Sequence, residues 1–385
     1  MGYVFRTEEQ QMAVDGLRKF LAAEIEPIFG KEYRDKFVPR ERMVEITRQL
    51  TPFGLVAGVV AEANGGMGVD WLTNLMLFEE VAAASADLSI PIMINLFGAH
   101  VLGNLAPAHL RDRYLPGLVS GDSFCSFGIS EPGVGSNVLE IKTRARRDGG
   151  DYILTGEKSW ISNGMYSDFL ICTCRTGEDP RRGLTNFLVD RKEHGYEVRN
   201  IHKIGLNSQS TAQIFLDDVR VPASNMIGGE GEALKNTLSG FERSRVFVAA
   251  QSMGIGRRAL EEAVRYASER RQFGKVVASH QLIAGMLAEM ATAVDAARLL
   301  VYRAASMIEA GVPAEMEAAM AKYFAAEMAV KVSRQAVQIH GANGVTTEFL
   351  VEKLAREAIV FPIPEGTTQV QQLIIGRALT GVGAF

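Results

Sequence analysis

The stretch Arg147-Asp148-Gly149-Gly150-Asp151-Tyr152-Ile153-Leu154 decides the fold class of this chain. Two glycines between aspartates, followed by residues that favour extended structure, predict a hairpin turn that leads into a strand. Short apolar runs predict further strands at 169–174, 185–189 and 212–216. Because no helical segment separates these strands, we expect the middle of the chain to form an antiparallel β-barrel or sandwich and not a Rossmann unit.

Helical periodicity dominates on both sides of this β region. Thr7-Glu8-Glu9-Gln10 reads as a capping box at the start of a first helix, and further helices are expected at about 40–50, 70–85, 88–103 and 107–119. Beyond the β region, Ala233 to Glu269 reads as one long helix, with long helices following at about 280–310 and 314–339. The prediction is a mainly α protein with a central β part. It has an N-terminal α-helical domain (1–119), a middle β domain (120–230) and a C-terminal four-helix bundle domain (231–385).

The composition of the 385 residues is that of an ordinary globular protein, with 47% apolar residues, 22% charged residues and a net charge of −4. This balance gives no electrostatic reason to expect nucleic acid or an anionic membrane surface as a partner. We find no apolar run of about 18 residues and therefore expect no membrane span. The start lacks an apolar or arginine-rich leader, which favours a cytoplasmic, bacterial protein.

The cysteines and histidines suggest neither disulfides nor a metal. The three cysteines, Cys125, Cys172 and Cys174, form no spaced pairs, and the six histidines have no ligand spacing. We therefore expect a reducing compartment, buried cysteines and no metal site.

The segment Ile363-Pro364-Glu365-Gly366-Thr367-Thr368-Gln369 contains the most informative carboxylate. Gly366 lets a backbone approach a ligand closely, and Thr367 is a good cap for the helix expected after it. Partial burial of Glu365 against a ligand would raise its pKa and make it a stronger base. A solvated glutamate favoured by the helix dipole remains the alternative.

Two loops of the β region could bind a cofactor. Ser130-Glu131-Pro132-Gly133-Val134-Gly135-Ser136 offers free backbone N–H groups and a hydroxyl to a phosphate, or it is only a turn. In Lys158-Ser159-Trp160-Ile161-Ser162-Asn163-Gly164, Trp160 could cover one face of a planar cofactor, with Ser162 at its polar edge. The alternative is a tryptophan that plugs the barrel.

Three segments of the C-terminal half could contact anions. Arg270-Arg271-Gln272-Phe273-Gly274-Lys275 offers a pyrophosphate donor and a flanking ring, or it is a solvated basic turn. Gln338-Ile339-His340-Gly341-Ala342-Asn343-Gly344 ends a long helix in a glycine-rich loop. In Phe241-Glu242-Arg243-Ser244-Arg245, Arg245 could orient an anionic group, or the segment is a surface charge cluster.

The order of these segments resembles the acyl-CoA dehydrogenase family over nearly the whole chain, and the α–β–α order also matches that family's fold. The resemblance implies noncovalently bound FAD, with some of its contacts supplied by a neighbouring subunit. The implied cofactor-binding residues are Phe127, Ile129, Ser130, Gly135, Ser136, Trp160, Ile161, Ser162, Arg270, Gln272, Phe273, Gln281, Gln338, Ile339, Gly341, Ala342, Thr367 and Gln369. The implied substrate-binding residues are Ser136, Glu242, Ser244, Arg245, Pro364 and Gly366.

The resemblance also implies a reaction. Glu365 would remove the α-proton of an acyl-CoA thioester, the β-hydrogen would leave as hydride to flavin N5, and the product would be a 2,3-enoyl-CoA. Some family members place the base early in the long helix, where this chain has Ser244, which cannot act as one. The implied partners are an electron-transfer flavoprotein as electron acceptor and further copies of the chain in a homotetramer or dimer. The implied role is in the degradation of fatty, alicyclic or aromatic acids.

One departure from the family pattern bears on the substrate. Pro364 stands where many members have tyrosine, which removes an aromatic wall from the acyl pocket and stiffens the backbone. We therefore hypothesise a pocket suited to a branched, cyclic or aryl acyl group. Enoyl-CoA reduction, oxidase activity or other CoA-thioester chemistry on the same scaffold, and noncatalytic binding of a CoA ester, remain alternatives.

Overall fold

The computed structural model describes residues 6–383, which begin with a layer of helices. Thr7 caps the first helix, and the predicted box is confirmed because its hydroxyl accepts from Gln10 N while the Gln10 side chain accepts from Thr7 N. The helices of this layer are α1 (Glu8–Phe20), α2 (Arg40–Leu50), α3 (Trp71–Ala84), α4 (Ala86–Leu105) and α5 (Ala108–Val119).

We expected no apolar segment long enough to span a membrane, but helix α4 is long and apolar enough. Over the described residues it is the one helix whose length and composition would allow a span, with a mean hydropathy of 1.4. It nevertheless lies in the protein core, because 61% of that window is buried. Its buried polar groups have protein partners, as where Asn95 donates to Ser123 O at 2.9 Å. Polar side chains satisfied in this way are typical of a core helix.

The middle of the chain is one mixed sheet. Its elements are β1 (Cys125–Gly128), β2 (Arg144–Asp148), β3 (Asp151–Ser162), β4 (Phe169–Arg175), β5 (Leu184–Asp190), the short helix α6 (Arg191–His194), β6 (Glu197–Asn200), β7 (Thr211–Pro222) and β8 (Met226–Ile227). The spatial order is β6-β7-β3-β2-β4-β5-β8, with β1 also paired to β4. The predicted hairpin is confirmed, since Asp148 pairs with Asp151 across the turn.

The turn pattern had suggested a wholly antiparallel sheet, but two of the strand pairings are parallel. β1 runs parallel to β4, with Cys125 opposite Phe169, and β2 makes one parallel pairing with β4. Parallel neighbours need a long connection between them, and the β2–β3 hairpin provides it here. Cys172 and Cys174 are buried on one face of β4, and the three cysteines are free.

The last part of the described chain is a helical bundle. It contains α7 (Ala233–Glu269), a hairpin of β9 (Arg271–Gln272) and β10 (Lys275–Val276), α8 (Gln281–Glu309), α9 (Glu315–His340), α10 (Val351–Ala358) and α11 (Thr368–Thr380). Helix α7 packs against α3, α8 and α9. A Cβ added at Gly254 would lie 2.5 Å from the Glu79 carbonyl oxygen, so close contact between α7 and α3 requires a glycine there.

Buried ion pairs join the N-terminal helices to the bundle. Glu79 on α3 lies 2.8 Å from both Arg257 on α7 and Arg298 on α8. Lys353 on α10 contacts Asp87 on α4 at 2.6 Å, and Asp87 also accepts from the Ser208 backbone N–H. Breaking a buried pair leaves an uncompensated charge, so these contacts hold the three parts in one arrangement.

Candidate active site

The turn between α10 and α11 presents Glu365 in an uncommon backbone conformation. Glu365 has φ 56° and Gly366 has φ 88°, so two successive residues lie in the left-handed region. A residue with a side chain is uncommon there and persists only when its surroundings hold it. Thr367 caps α11 as predicted, because its hydroxyl accepts from Val370 N at 3.3 Å.

The Glu365 carboxylate points at the long helix α7. The Ser244 hydroxyl donates a hydrogen bond to Glu365 Oε2, although the two residues are 121 positions apart in the chain. Burial raises the pKa of Glu365, and the Ser244 bond and the charges of Arg245 and Lys322 offset only part of that rise. The carboxylate is therefore not freely solvated, and a raised pKa is what a base at this position would need.

Two side chains that the sequence did not single out donate hydrogen bonds to the backbone of this turn. Lys322 on α9 donates to Pro362 O at 2.9 Å and to Gly366 O at 2.8 Å. Gln371 on α11 donates to Glu365 O at 3.0 Å and to Gly366 O at 2.9 Å. Helix α9 also carries Lys331 and Arg334, so the sequence gave no signal that distinguishes Lys322 as the buried cation.

The other predicted substrate residues differ in burial and in their hydrogen-bond partners. Arg245 is buried beside Glu365 and Glu242, and its Nε has no partner among the described residues. It is therefore not part of a solvated surface cluster. Glu242 points elsewhere, because its Oε1 accepts from Ala314 N at 3.1 Å. Pro364 is exposed on the turn, next to Glu365.

The two loops of the β region lie side by side. Ser130 Oγ donates to Ser159 O at 3.0 Å, and Ser159 N donates to Ser130 O at 2.9 Å. Trp160 is 60% exposed with φ 66°, so the alternative of a tryptophan that plugs the sheet is wrong. Ile161 is buried in the sheet core, which leaves its backbone and not its side chain for a ligand.

The remaining predicted residues of this region are accessible. Phe127, Ile129 and Ser162 are half-buried, while Gly135 and Ser136 are exposed.

A buried ion pair supports these loops. Lys158 on β3 lies 2.9 Å from Glu131, and its ammonium also donates to Ile129 O at 3.2 Å. Glu131 accepts from Thr143 N at 2.8 Å and from the Thr143 hydroxyl at 2.6 Å. The buried Glu131 carboxylate, whose hydrogen bonds are all made within the protein, therefore stabilises the conformation of the Ser130–Ser136 loop. Its glycines and proline alone would not fix that conformation.

A third group of predicted residues lines a cavity of about 400 Å³ at the end of α7. The predicted residues that it gathers are Arg270, Gln272, Phe273, Ile339, Gly341 and Ala342. Gln281 and Gln338 are exposed nearby but do not line it. The cavity is also lined by His340, from the predicted Gln338–Gly344 segment, and by four residues that the sequence did not single out, which are Tyr266, Val277, His280 and Ile283. The rings of Tyr266 and His340 stack with centroids 4.1 Å apart.

His340 places a buried acceptor at this cavity. Its Nδ1 lies 2.8 Å from Ala336 O, and its Nε2 is buried without a partner in the described part of the chain. If Nδ1 donates to the carbonyl, Nε2 carries the lone pair of the neutral ring. Burial lowers the pKa of His340, which favours that neutral form.

These surfaces fit a flat, anionic cofactor such as FAD. Trp160 and Phe273, the latter 93% exposed, offer aromatic faces, and Arg270 lies beside the cavity. A Cβ added at Gly133 or Gly135 would meet nothing within 4 Å, so a ligand can approach that loop closely. Fold and site together define a class of α–β–α protein with a partly buried carboxylate at the turn before α11 and surfaces that fit such a cofactor.

Comparison with known proteins agrees with this class. Three domain models match in chain order: the acyl-CoA dehydrogenase N-terminal domain over residues 7–122, the middle domain over 126–219 and the C-terminal domain over 231–380. The chain belongs to the acyl-CoA dehydrogenase family, as its motif order suggested. It is an oxidoreductase of that type, and the members of the family are FAD-dependent.

Three curated relatives share about a third of the sequence. The chain is 34% identical to cyclohexane-1-carbonyl-CoA dehydrogenase of Syntrophus aciditrophicus, covering 97% of each protein. It is 36% identical to subunit CarC of the caffeyl-CoA reductase–Etf complex of Acetobacterium woodii, covering 87% of this chain and 89% of that one. It is 34% identical to 3-(aryl)acrylate reductase of Clostridium sporogenes, covering 98% of this chain and 100% of that one.

Solved structures show the same fold. Butyryl-CoA dehydrogenase from Megasphaera elsdenii superposes with a TM-score of 0.92 at 31% identity, covering 98% of this chain and 100% of that one. A glutaryl-CoA dehydrogenase from Mycobacterium smegmatis in complex with FADH2 has a TM-score of 0.92 at 26% identity, covering 99% of this chain and 96% of that one. The predicted fold class, enzyme class and cofactor are thus confirmed.

Proposed function

We propose that this protein removes two hydrogens from an acyl-CoA thioester and forms the 2,3-enoyl-CoA. The Cα–H bond breaks with transfer of the proton to Glu365, the Cβ–H bond breaks with loss of a hydride, and the Cα–Cβ double bond forms. FAD, when bound, supplies the acceptor for that hydride. The observation that carries this proposal is the half-buried Glu365 carboxylate, whose pKa burial raises and whose direction the Ser244 hydrogen bond fixes.

The residues around Glu365 have separate tasks in this proposal. Ser244 orients the carboxylate toward the interior of the site, and Arg245 balances its charge from the same helix. The Gly366 backbone gives the thioester room beside the base. A thioester α-proton is weakly acidic, so the carbonyl must also be polarised, and the Glu365 backbone N–H is the group assigned to that contact.

The cofactor contacts would come from two surfaces. The Phe127–Ser136 and Trp160–Ser162 segments would hold the flavin ring and the adjacent phosphates. The cavity lined by Arg270, Phe273 and Ile339–Ala342 would hold the adenine–pyrophosphate part of a neighbouring copy's FAD. Gln281, Gln338, Thr367 and Gln369 would complete that contact, although the Thr367 hydroxyl already caps α11.

The proposed acyl group is branched, cyclic or aryl. Pro364 adds no aromatic ring next to Glu365, so a bulky acyl group meets no wall at that position. Two kinds of relative support this reading, one named for cyclohexane-1-carbonyl-CoA and one for 3-(aryl)acrylate. A degradative role for alicyclic or aromatic acids would follow.

Reduction of an enoyl-CoA is the second candidate function. Two relatives carry reductase names, a caffeyl-CoA reductase subunit and a 3-(aryl)acrylate reductase. In this direction protonated Glu365 would return the proton to Cα, and its raised pKa suits either role. Two anaerobic rates distinguish reduction from dehydrogenation. One is the rate at which 3-phenylpropenoyl-CoA reoxidises the chemically reduced enzyme, and the other is the rate at which 3-phenylpropanoyl-CoA bleaches the oxidised enzyme. In a reductase the first rate is the faster one.

We also propose an electron-transfer flavoprotein as the electron acceptor and assembly into a homotetramer or dimer in the cytoplasm. One relative is named as part of an Etf complex. In the single chain Phe273 is 93% exposed and Leu282 is 85% exposed, as expected for side chains that another copy covers. Light scattering measures how many copies of the chain assemble. Turnover with added electron-transfer flavoprotein is compared with turnover in air alone, and a higher rate with the flavoprotein identifies it as the acceptor.

A panel of CoA thioesters tests the central reaction. The holoenzyme is mixed without oxygen with butanoyl-, octanoyl-, 2-methylpropanoyl-, cyclohexane-1-carbonyl- and 3-phenylpropanoyl-CoA, and flavin bleaching is followed. We expect bleaching to be fastest with a branched, cyclic or aryl ester, and to be lost with Glu365→Gln while FAD stays bound. Preference for octanoyl-CoA would reject the substrate class, and undiminished bleaching by Glu365→Gln would reject the reaction.

A further inference from the structure

We propose that Lys322 is a positioning residue for catalysis: its buried ammonium binds the backbone on both sides of Glu365 and so sets where the carboxylate stands. This inference rests on the proposed function, in which Glu365 is the base. Lys322 forms no hydrogen bond with the carboxylate or with any position assigned to the cofactor, so it would act through its bonds to the turn and through its charge.

The contacts of Lys322 bracket the base. Its Nζ lies 2.9 Å from Pro362 O and 2.8 Å from Gly366 O, which are three residues before and one residue after Glu365. One side chain on α9 thus binds the two ends of the turn. Thr368, which follows the turn, is bonded to the same helix, since its hydroxyl donates to Glu327 Oε1 at 2.6 Å.

The backbone conformation of the turn requires stabilising hydrogen bonds of this kind. Glu365 and Gly366 both have positive φ, a conformation that is costly for a residue with a side chain. Without donors beneath it, the turn can relax, and the carboxylate would move with it. Gln371 binds the Glu365 and Gly366 carbonyls as well, but it lies on α11, which begins immediately after the turn and can move with it.

The chemical nature of Lys322 argues against a role in packing alone. The side chain is fully buried, and its ammonium donates to two backbone carbonyl oxygens. Burying a charge is costly, so an apolar residue would suit a purely structural position better. Burial lowers the pKa of Lys322 to about 8, yet a neutral amine still has two N–H donors for its two carbonyls.

Lys322 also contributes a charge to the site. The charged groups that face Glu365 are Arg245 on α7 and Lys322 on α9, and both lower the pKa of the carboxyl group. Glu327 on α9 is a further charged neighbour of Lys322. Removing the Lys322 charge therefore moves the Glu365 pKa further upward, an effect that a packing defect would not produce.

The test compares Lys322→Met with Lys322→Arg and with Lys331→Met in the full-length holoenzyme. Methionine keeps the length of the side chain without its donors, and arginine restores charge and donors. Lys331→Met makes the same change at an exposed site on α9, where Lys331 pairs with Glu289. The readouts are FAD content, the rate of anaerobic bleaching by saturating cyclohexane-1-carbonyl-CoA, the KM for that ester, and the pH dependence of the bleaching rate.

We expect Lys322→Met to bleach about 100-fold more slowly, as a displacement of about 1 Å produces, with FAD content and KM unchanged. Its rate should rise with pH at a higher midpoint than in the wild type. Lys322→Arg should recover part of the rate and the wild-type midpoint, and Lys331→Met should match the wild type throughout. If Lys322→Met does not fold, Lys322→Gln is used, whose shorter side chain should give the same loss with intact FAD.

A readout independent of turnover uses a thioether analogue of the ester, with sulfur in place of the β carbon. This ligand has no β-hydride to lose, so only its α-proton can be removed, and the resulting anion beside oxidised flavin gives a long-wavelength absorption band. Lys322→Met should show a weaker band at a given pH than Lys331→Met.

Two outcomes of the same series separate the two proposals. Wild-type bleaching by a folded Lys322→Met or Lys322→Gln, together with loss of bleaching in Glu365→Gln, overturns the role of Lys322 and leaves the base intact. Wild-type bleaching by Glu365→Gln overturns the proposed function and the role of Lys322 with it.

Discussion

Moving the carboxylate from position 365 to position 244 should preserve part of the activity. The Ser244 hydroxyl is within hydrogen-bond distance of Glu365 Oε2, so a glutamate on α7 can bring its carboxylate close to the same volume. Removing a general base costs about 10²–10⁴-fold in rate, or about 3–5 kcal/mol of barrier. A misplacement of about 1 Å costs about 100-fold. Glu365→Ser should therefore lose up to about 10⁴-fold, and adding Ser244→Glu should recover about 100-fold of that loss.

The assay is the rate of anaerobic flavin bleaching at saturating cyclohexane-1-carbonyl-CoA, with FAD content measured for every variant. The matched control is Glu365→Ser combined with Ser244→Ala, which has no carboxylate at either position and should stay at the lowest rate. The reasoning is refuted if the variant with Ser244→Glu is no faster than this control while it binds FAD and the ester normally.

The remaining predictions concern packing, substrate and pH. Gly254→Ala should destabilise the fold by about 1–3 kcal/mol, because its new Cβ would lie 2.5 Å from a carbonyl oxygen of α3. Gly16→Ala, in the open on α1, should stabilise by about 1 kcal/mol in the same denaturant titration, and equal effects would contradict the account. Pro364→Tyr should shift kcat/KM toward butanoyl-CoA and away from cyclohexane-1-carbonyl-CoA, and an unchanged ratio would remove the basis for a wide pocket. The bleaching rate should rise with pH as Glu365 loses its proton, with a midpoint above that of an ordinary glutamate. Ser244→Ala removes a hydrogen bond that lowers this pKa, so it should move the midpoint higher still, and a lower midpoint would contradict the assigned contact.

Local chemistry was sufficient to predict several of the secondary-structure elements. The hairpin at Asp148–Asp151 follows from its two glycines, and the start of α1 follows from the capping box at Thr7. Helix α7 spans Ala233–Glu269 as periodicity predicted. These features depend on neighbours in sequence, so no knowledge of the tertiary fold is needed for them.

Features that depend on distant partners could not be predicted in this way. The parallel pairing of β1 with β4 requires knowing where the chain returns to the sheet. The helix α4 was predicted at about 88–103, but its length of apolar composition was not recognised because Asp87, Asn95 and His100 interrupt its apolar runs. The sequence alone left open whether Trp160 is buried, and the structure exposes it.

The candidate site shows the same division. Motif order was enough to single out Glu365, Arg245 and the loops around Ser130 and Trp160. The resemblance placed Ser244 in the substrate site but did not give its hydrogen bond to Glu365, and nothing in the sequence indicated that Lys322 binds the turn. Those contacts join α7, α9 and the turn before α11 across the fold. The fold therefore adds the supporting residues to a site whose proposed base the sequence already indicated.

Exchange of the α-proton tests the central claim most directly. The holoenzyme is incubated in D2O with the thioether analogue of the CoA ester, and deuterium uptake at the α carbon is measured by mass spectrometry in the wild type and in Glu365→Gln. If Glu365 is the base, the wild type catalyses exchange and Glu365→Gln, with FAD and ligand still bound, is slower by about 100-fold or more. Exchange at the wild-type rate in Glu365→Gln would show that another group removes the proton.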